Sequence, residues 1–310
     1  MENVREVLQE LMSKRKLDTK FQKLMAAVYA DPDVLKFCEQ HKTELSADSV
    51  ARSASKLYEY VQELHKYRRG EPTLMPGYEP ILIVNNHLIE VSYRPSAQFL
   101  ATEKKREVQT RVKAVNMPKM IRQARFEDFF PDAQRKQALN AALDFVQAYE
   151  KDPRKFHKGL YLAGSFGVGK TYLLGAIANE LAAAGFESTL VHFPSFAIEM
   201  KTAIGENTLA EKLDSIKQAP ILMLDDIGAD AMSSWVRDEI LGVILEFRMQ
   251  NELATFFSSN FSMAQLEKEH LQVNQRGELE PLKAKRLMER IRFLATEMTM
   301  VGINRRQNGN

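Results

Sequence analysis

One segment restricts this chain more than any other: Gly164-Ser165-Phe166-Gly167-Val168-Gly169-Lys170-Thr171, which follows the apolar run Leu160-Tyr161-Leu162-Ala163. It fits the pattern G-x-x-x-x-G-K-[ST], whose chemistry requires a strand before it and a helix after it. Glycines let backbone N–H groups wrap a phosphate, and the helix N-terminus adds the positive end of its dipole. Lys170 is placed to reach the β- and γ-phosphates, and the Thr171 hydroxyl to ligate Mg²⁺. ATP with Mg²⁺ is therefore the expected cofactor. A chain carrying this loop must build a parallel sheet covered by helices.

The remaining strands support that reading. Ile221-Leu222-Met223-Leu224 ends in Asp225-Asp226, 55 residues after Lys170 for the first acid. Ligands of open α/β sheets lie beyond the carboxyl ends of the strands, where these carboxylates fall. Asp225 is the expected Mg²⁺ ligand, directly or through water, and Asp226 the acid that polarises the attacking water. A strand over 188–193 separates the two motifs, and another over 254–258 runs into Ser259-Asn260. Asn260 either positions the lytic water and senses the γ-phosphate, or is a turn residue. With 159–163 and 296–301 these make the expected strands, apolar throughout and separated by helices near 133–150, 171–184, 194–218, 235–250 and 281–292.

Upstream the pattern differs. Residues 1–69 read as helices: Val4, Val7, Leu8, Leu11 and Met12 share one face, as do Phe21, Leu24, Met25 and Val28, before further segments at 33–41 and 46–68. Asn85-Asn86 between two apolar runs predicts a hairpin over 80–94. The expected organisation is a small mainly helical α+β domain over 1–102, a basic linker over 103–125, and an α/β domain over 126–310. The linker carries eight Lys/Arg against Glu103 and Glu107, although the whole chain is only +2. It reads either as a solvated helix or as a contact for a nucleic-acid backbone. The N-terminus interleaves charges with Val and Leu and shows no signal-peptide core, and no run approaches ~18 apolar residues, so a cytoplasmic protein without a membrane partner is expected.

Taken together, residues 164–171, 221–226 and Asn260 resemble AAA+ ATPases: Walker A, Walker B and the sensor-1 position. The contexts ILMLDDIGAD, FSSNFS and KRLMERIRFLATEMTMVGINRR are similar to bacterial replicative helicase loaders of the primosomal DnaI/DnaC type. The resemblance implies an AAA+ core that self-associates, with nucleotide at the subunit interface. It also implies a helicase-binding N-terminal domain and contact with single-stranded DNA through the ATPase domain. Arg290 matches the position of an arginine finger given by a neighbour, with Arg286 flanking it, and Arg305 is a second-sensor candidate; a solvated basic face is the plainer alternative for these arginines. With only a short segment after the last strand, the core is expected to lack the helical lid of ordinary AAA+ proteins. Lys201, Ile204, Ser233 and Trp235 fall on the surface that meets single strands in the resembling group, although Trp235 reads equally well as a core anchor.

Two features depart from the family pattern. An Asp stands at 226 where Glu is usual, so hydrolysis is expected to be slow or partner-stimulated. DnaI-type N-terminal domains are associated with zinc, yet Cys38 is the only cysteine and His87 has no thiols near it in sequence, so no zinc is expected. Two other functions remain open: a transposition-accessory ATPase acting on duplex DNA, and a nucleotide-gated adaptor with negligible hydrolysis. Phe126, Phe129 and Phe130 are expected to pack either the adenine side of the pocket or the core.

Overall fold

The computed structural model describes residues 19–129, 135–229, 232–272 and 279–304. Two units emerge, Met1–Lys104 and Lys105–Asn310. The first-turn helix expected over residues 1–12, and Phe130 and Arg305, lie outside the described residues.

The first unit opens with α1 (Thr19–Tyr29), α2 (Pro32–Gln40), α3 (Ala47–Arg52) and α4 (Ala54–Arg69), followed by the antiparallel pair β1 (Tyr78–Asn85) and β2 (Leu88–Pro95). Each boundary has a local cause. Asp31 caps α2 with Pro32 in its first turn, Ser46 and Ser49 form a reciprocal capping box on α3, and Gly70 ends α4 at φ 68°. The single helix expected over 46–68 is broken at Ser53. Its hydroxyl donates to Ser49 O (2.8 Å) and accepts from Ile89 N (2.8 Å), tying the helices to the hairpin. The turn residues are Asn86 (φ 49°) and His87 (φ 58°), one position later than expected. Met25, Val34, Cys38, Leu57, Val61, Leu64, Leu82 and Ile89 form the core.

Helix α5 (Ala97–Thr110) leads into the second unit, a six-stranded parallel sheet in the order β3-β5-β6-β7-β4-β8. Here β3 is Val112–Val115, β4 Gly159–Ala163, β5 Ser188–His192, β6 Ile221–Asp225, β7 Thr255–Ser259 and β8 Ala295–Thr299. The expected linker is corrected by β3: its second half is an edge strand paired with β5, followed by a 3₁₀ turn over Lys119–Gln123 whose Ile121 is buried. Four residues, with Lys113 among them and Arg111 just before, leave too little apolar pattern to announce a strand.

Alternation along the strands feeds two cores. Tyr161, Val191, Leu222, Leu224 and Phe257 face one layer, with α8 (Phe193–Gly205), α9 (Leu209–Lys217), α10 (Gly242–Gln250) and α11 (Pro281–Leu294). Leu160, Leu162, Leu190, Ile221, Met223 and Phe256 face the other, with α6 (Lys136–Lys151) and α7 (Lys170–Ala183). Burial on both faces explains why these strands carry continuous apolar runs.

Arg248 on α10 is fully buried and acts as a polar cross-link. It donates to Thr255 Oγ1 (2.8 Å) and to the carbonyls of Lys217 (3.0 Å), Ala219 (2.7 Å) and Ala254 (2.7 Å). Replacing it would take a buried donor from the Thr255 hydroxyl and from the Lys217 and Ala219 carbonyls, while Ala254 O keeps the Leu222 amide (3.1 Å). Arg248→Leu should therefore destabilise the second unit by ~3 kcal/mol, read as a lower urea midpoint.

Candidate nucleotide site

Strand β4 ends at Ala163 and the chain turns through the glycine loop into α7. Gly167 (φ 77°) and Gly169 (φ 98°) take left-handed backbone conformations that other residues adopt only with strain. The Lys170 ammonium donates to Gly164 O (2.7 Å), Ser165 O (2.9 Å) and Asn260 Oδ1 (2.8 Å). Asn260 Nδ2 in turn donates to Asp226 Oδ1 at 3.2 Å. Asn260 is thus a bridge between the loop lysine and the acid at the end of β6.

Asp225 is 3 % exposed at the tip of β6. Its carboxylate accepts from Thr171 Oγ1 (2.9 Å) and Ser258 Oγ (2.5 Å). Burial pushes its pKa above the ordinary carboxylate range, while the Ser258 and Thr171 hydroxyls pull the other way. Ser258 Oγ also accepts from Asp226 N (3.0 Å), and Asp226 takes a left-handed φ of 62°. Thr171 and Asp225 offer adjacent oxygen donors, a set that suits a hard cation such as Mg²⁺.

These groups line a cavity of about 490 Å³. Its polar end holds Lys170, Thr171, His192, Asp225, Asp226, Ser258 and Asn260; its apolar wall is Pro118, Met120, Ile121, Phe129 and Tyr172. Phe129 is buried in this wall and Phe126 packs on the adjoining core. Arg135 lies 4.9 Å over the Phe129 ring and donates to Val168 O (3.3 Å), joining that wall to the loop. The sequence reading missed Arg135, His192 and Ser258. Only Ser258 carried a usable signal, its place at the end of an apolar strand.

Of the other candidates, Lys201 and Ser233 line a second cavity together with Asp226, whereas Ile204, Trp235, Arg286 and Arg290 line neither cavity. Arg290, on α11, donates to Gly242 O (2.9 Å) and Glu246 (3.0 Å) and does not line the cavity; Arg286 is exposed on the same helix. Lys201 and Ile204 are exposed on α8. Ser233 is buried and accepts from Val236 N (3.2 Å) as a helix cap, and Trp235 is half-buried against the core. These contacts give Ser233 and Trp235 structural work of their own. Phe166 is exposed on the loop, and Val168 is buried in the core.

The raised pKa of Asp225 has a thermodynamic consequence. A carboxyl whose folded pKa exceeds its unfolded value weighs against folding at neutral pH, and the penalty fades as pH falls. Asp225→Asn should raise the melting temperature of the ligand-free protein at pH 7–8. That gain should shrink as pH drops into the carboxylate range. Thermal scans across pH check the sign.

Residues 1–93 match the family described as primosomal protein DnaI N-terminus, and residues 120–278 match that of the bacterial DnaA ATPase domain. The chain is 38% identical over 312 residues to the replicative helicase loader DnaI of Bacillus subtilis (strain 168), covering 99% of each. The phage-like element PBSX protein XkdC of the same organism is 29% identical over 51% of this chain and 62% of its own. A crystal structure of DnaI superposes with a TM-score of 0.57 at 46% identity, over 64% of this chain and 99% of that one. With an AAA+ core and this similarity along its whole length, the chain belongs to the DnaI family of replicative helicase loaders.

Proposed function

We propose that this protein is an ATP-dependent loader that binds the replicative DNA helicase through its N-terminal unit. It delivers the helicase onto single-stranded DNA in the cytoplasm during primosome assembly. The observation that carries the nucleotide half of this reading is the chain Lys170–Asn260–Asp226, which links the phosphate loop to an acid on a different strand. A triphosphate entering the loop competes for the Lys170 ammonium with Asn260 Oδ1 and the loop carbonyls. Asn260 keeps its donor on Asp226, so the acid stays aimed at the phosphate end of the cavity, where it orients the attacking water. Mg²⁺, held by Thr171 and Asp225, would offset charge on the phosphate oxygens.

Arg290 lies away from the cavity of its own chain, on α11, which suits a finger offered to a neighbouring copy. Self-association through the ATPase unit then completes the site. Lys201 and Ile204, exposed on α8, are the stronger part of the single-strand surface. The N-terminal unit has its own core and is the helicase dock.

Arg290→Ala should leave ATP binding near wild type and reduce turnover about a thousandfold, because a finger acts on transition-state charge. Mixing it with Lys170→Ala protein should restore part of the activity, since each variant supplies what the other lacks. Turnover in a phosphate-release assay, with helicase and single-stranded DNA present, provides the readout. No restoration at any ratio speaks for a site complete in one chain, and negligible wild-type turnover speaks for an adaptor that uses ATP only as a ligand. Residues 1–106 alone should co-elute with helicase in size-exclusion chromatography; co-elution of only residues 126–310 would reverse the division of labour.

A further inference from the structure

The phosphate loop has a second neighbour besides its cavity. After β8 the backbone continues past Ala163, with Met300 N donating to Ala163 O at 2.7 Å. The Met300 side chain is fully buried in the core beneath α6 and α7. From that anchor the chain runs along the loop itself. A Cβ built on Gly164 would lie 2.1 Å from Met300 O, and one on Gly167 would lie 1.8 Å from Asn304 Oδ1 and 3.1 Å from Asn304 Cα. Gly164 is therefore closed to a side chain by the Met300 carbonyl, and at Gly167 a side chain would have to displace the Asn304 amide, apart from any demand made by phosphate. The third, Gly169, faces Phe129 (3.4 Å) and Arg135 (3.6 Å) instead.

We propose that residues 300–304 form a strap that positions the phosphate loop, with Asn304 the positioning residue at Gly167. Resting on the nucleotide-binding reading above, this adds a control point for it. The loop binds phosphate through backbone N–H groups whose directions depend on the turn at Gly167. A segment packed against that turn narrows the conformations the empty loop explores, so less order has to be imposed when nucleotide arrives. The strap is anchored by the buried Met300 and reaches the loop at Asn304. Whatever displaces it would weaken nucleotide binding without touching the cavity.

The test compares three full-length proteins with a chain ending at Met300, each titrated with a fluorescent ATP analogue in Mg²⁺, alongside the melting temperature without ligand. The three are the unaltered protein, Asn304→Ala and Asn304→Asp. Asn304→Ala and the shortened chain should bind about tenfold more weakly, the scale of one lost positioning contact, with little change in the ligand-free melting temperature. Asn304→Asp keeps the shape but sets a negative charge beside the triphosphate. It should bind more weakly still, and added NaCl should narrow its gap from Asn304→Ala. Affinities equal to the unaltered protein in all variants overturn the strap. So does a loss of affinity that merely follows a loss of melting temperature. If the shortened chain fails to fold, the two Asn304 variants decide. Failure of the unaltered protein to bind the analogue overturns the nucleotide reading itself, and the strap with it.

Discussion

The buried carboxylate of Asp225 organises the second unit. Removing a carboxylate from water is costly unless donors replace the lost hydration, and the two donors here come from different elements: Thr171 from α7 and Ser258 from β7. Ser258 also accepts from the Asp226 amide, so the acid that follows is held by the same hydroxyl. Phosphate loop, β6 and β7 are thereby registered to one another through a single side chain. The polar end of the cavity depends on that registration, because Asn260 at the end of β7 must reach both Lys170 and Asp226.

How much of this was legible in the sequence follows from how local each signal is. The glycine loop, the apolar strands and the acids ending β6 are written in contiguous residues, and the structure places them within a residue or two of expectation. Asn260 was recognisable by its position after a strand, but its bond to Lys170 depends on the β6-β7-β4 order, which no local pattern states. Arg135 was missed for the same reason, since its contacts with Phe129 and Val168 exist only once the chain is folded, whereas Ser258 had its place at the end of an apolar strand and was overlooked. Strand β3 was hidden by its shortness and by the charge of Lys113, which interrupts the apolar run of an edge whose pairing to β5 is made by the backbone. Ser233 and Trp235 were singled out for a surface role, whereas one caps a helix and the other leans on the core.

In the N-terminal unit, polar groups set the boundaries and apolar ones fill the interior. Cys38 belongs to the second kind. Its thiol is buried and pushed up to about 11 by desolvation, so it behaves as a small apolar side chain. Glu63 shows the opposite solution: almost wholly buried, it accepts from Leu74 N (2.7 Å) and Lys66 (2.8 Å), which hold its pKa below the ordinary range. The loop after α4 is fastened to the helix by that carboxylate.

The left-handed backbone at Asp226 bears on why an aspartate, rather than a glutamate, suits this position. Aspartate is among the few non-glycine residues that enter this region readily, because its short polar side chain interacts with nearby backbone; glutamate gains less from doing so. At φ 62° the choice of acid is thus partly a choice of backbone. A longer side chain would extend the reach of the carboxylate by one methylene, but would ask the peptide between β6 and Ile227 to relax toward negative φ. That would shift the Asp226 amide, now on Ser258, and the Ile227 amide, now 2.9 Å from Ser258 O. Side-chain length at this position is coupled through two amides to the neighbouring strand, so the reach of the acid and the seating of β6 on β7 change together.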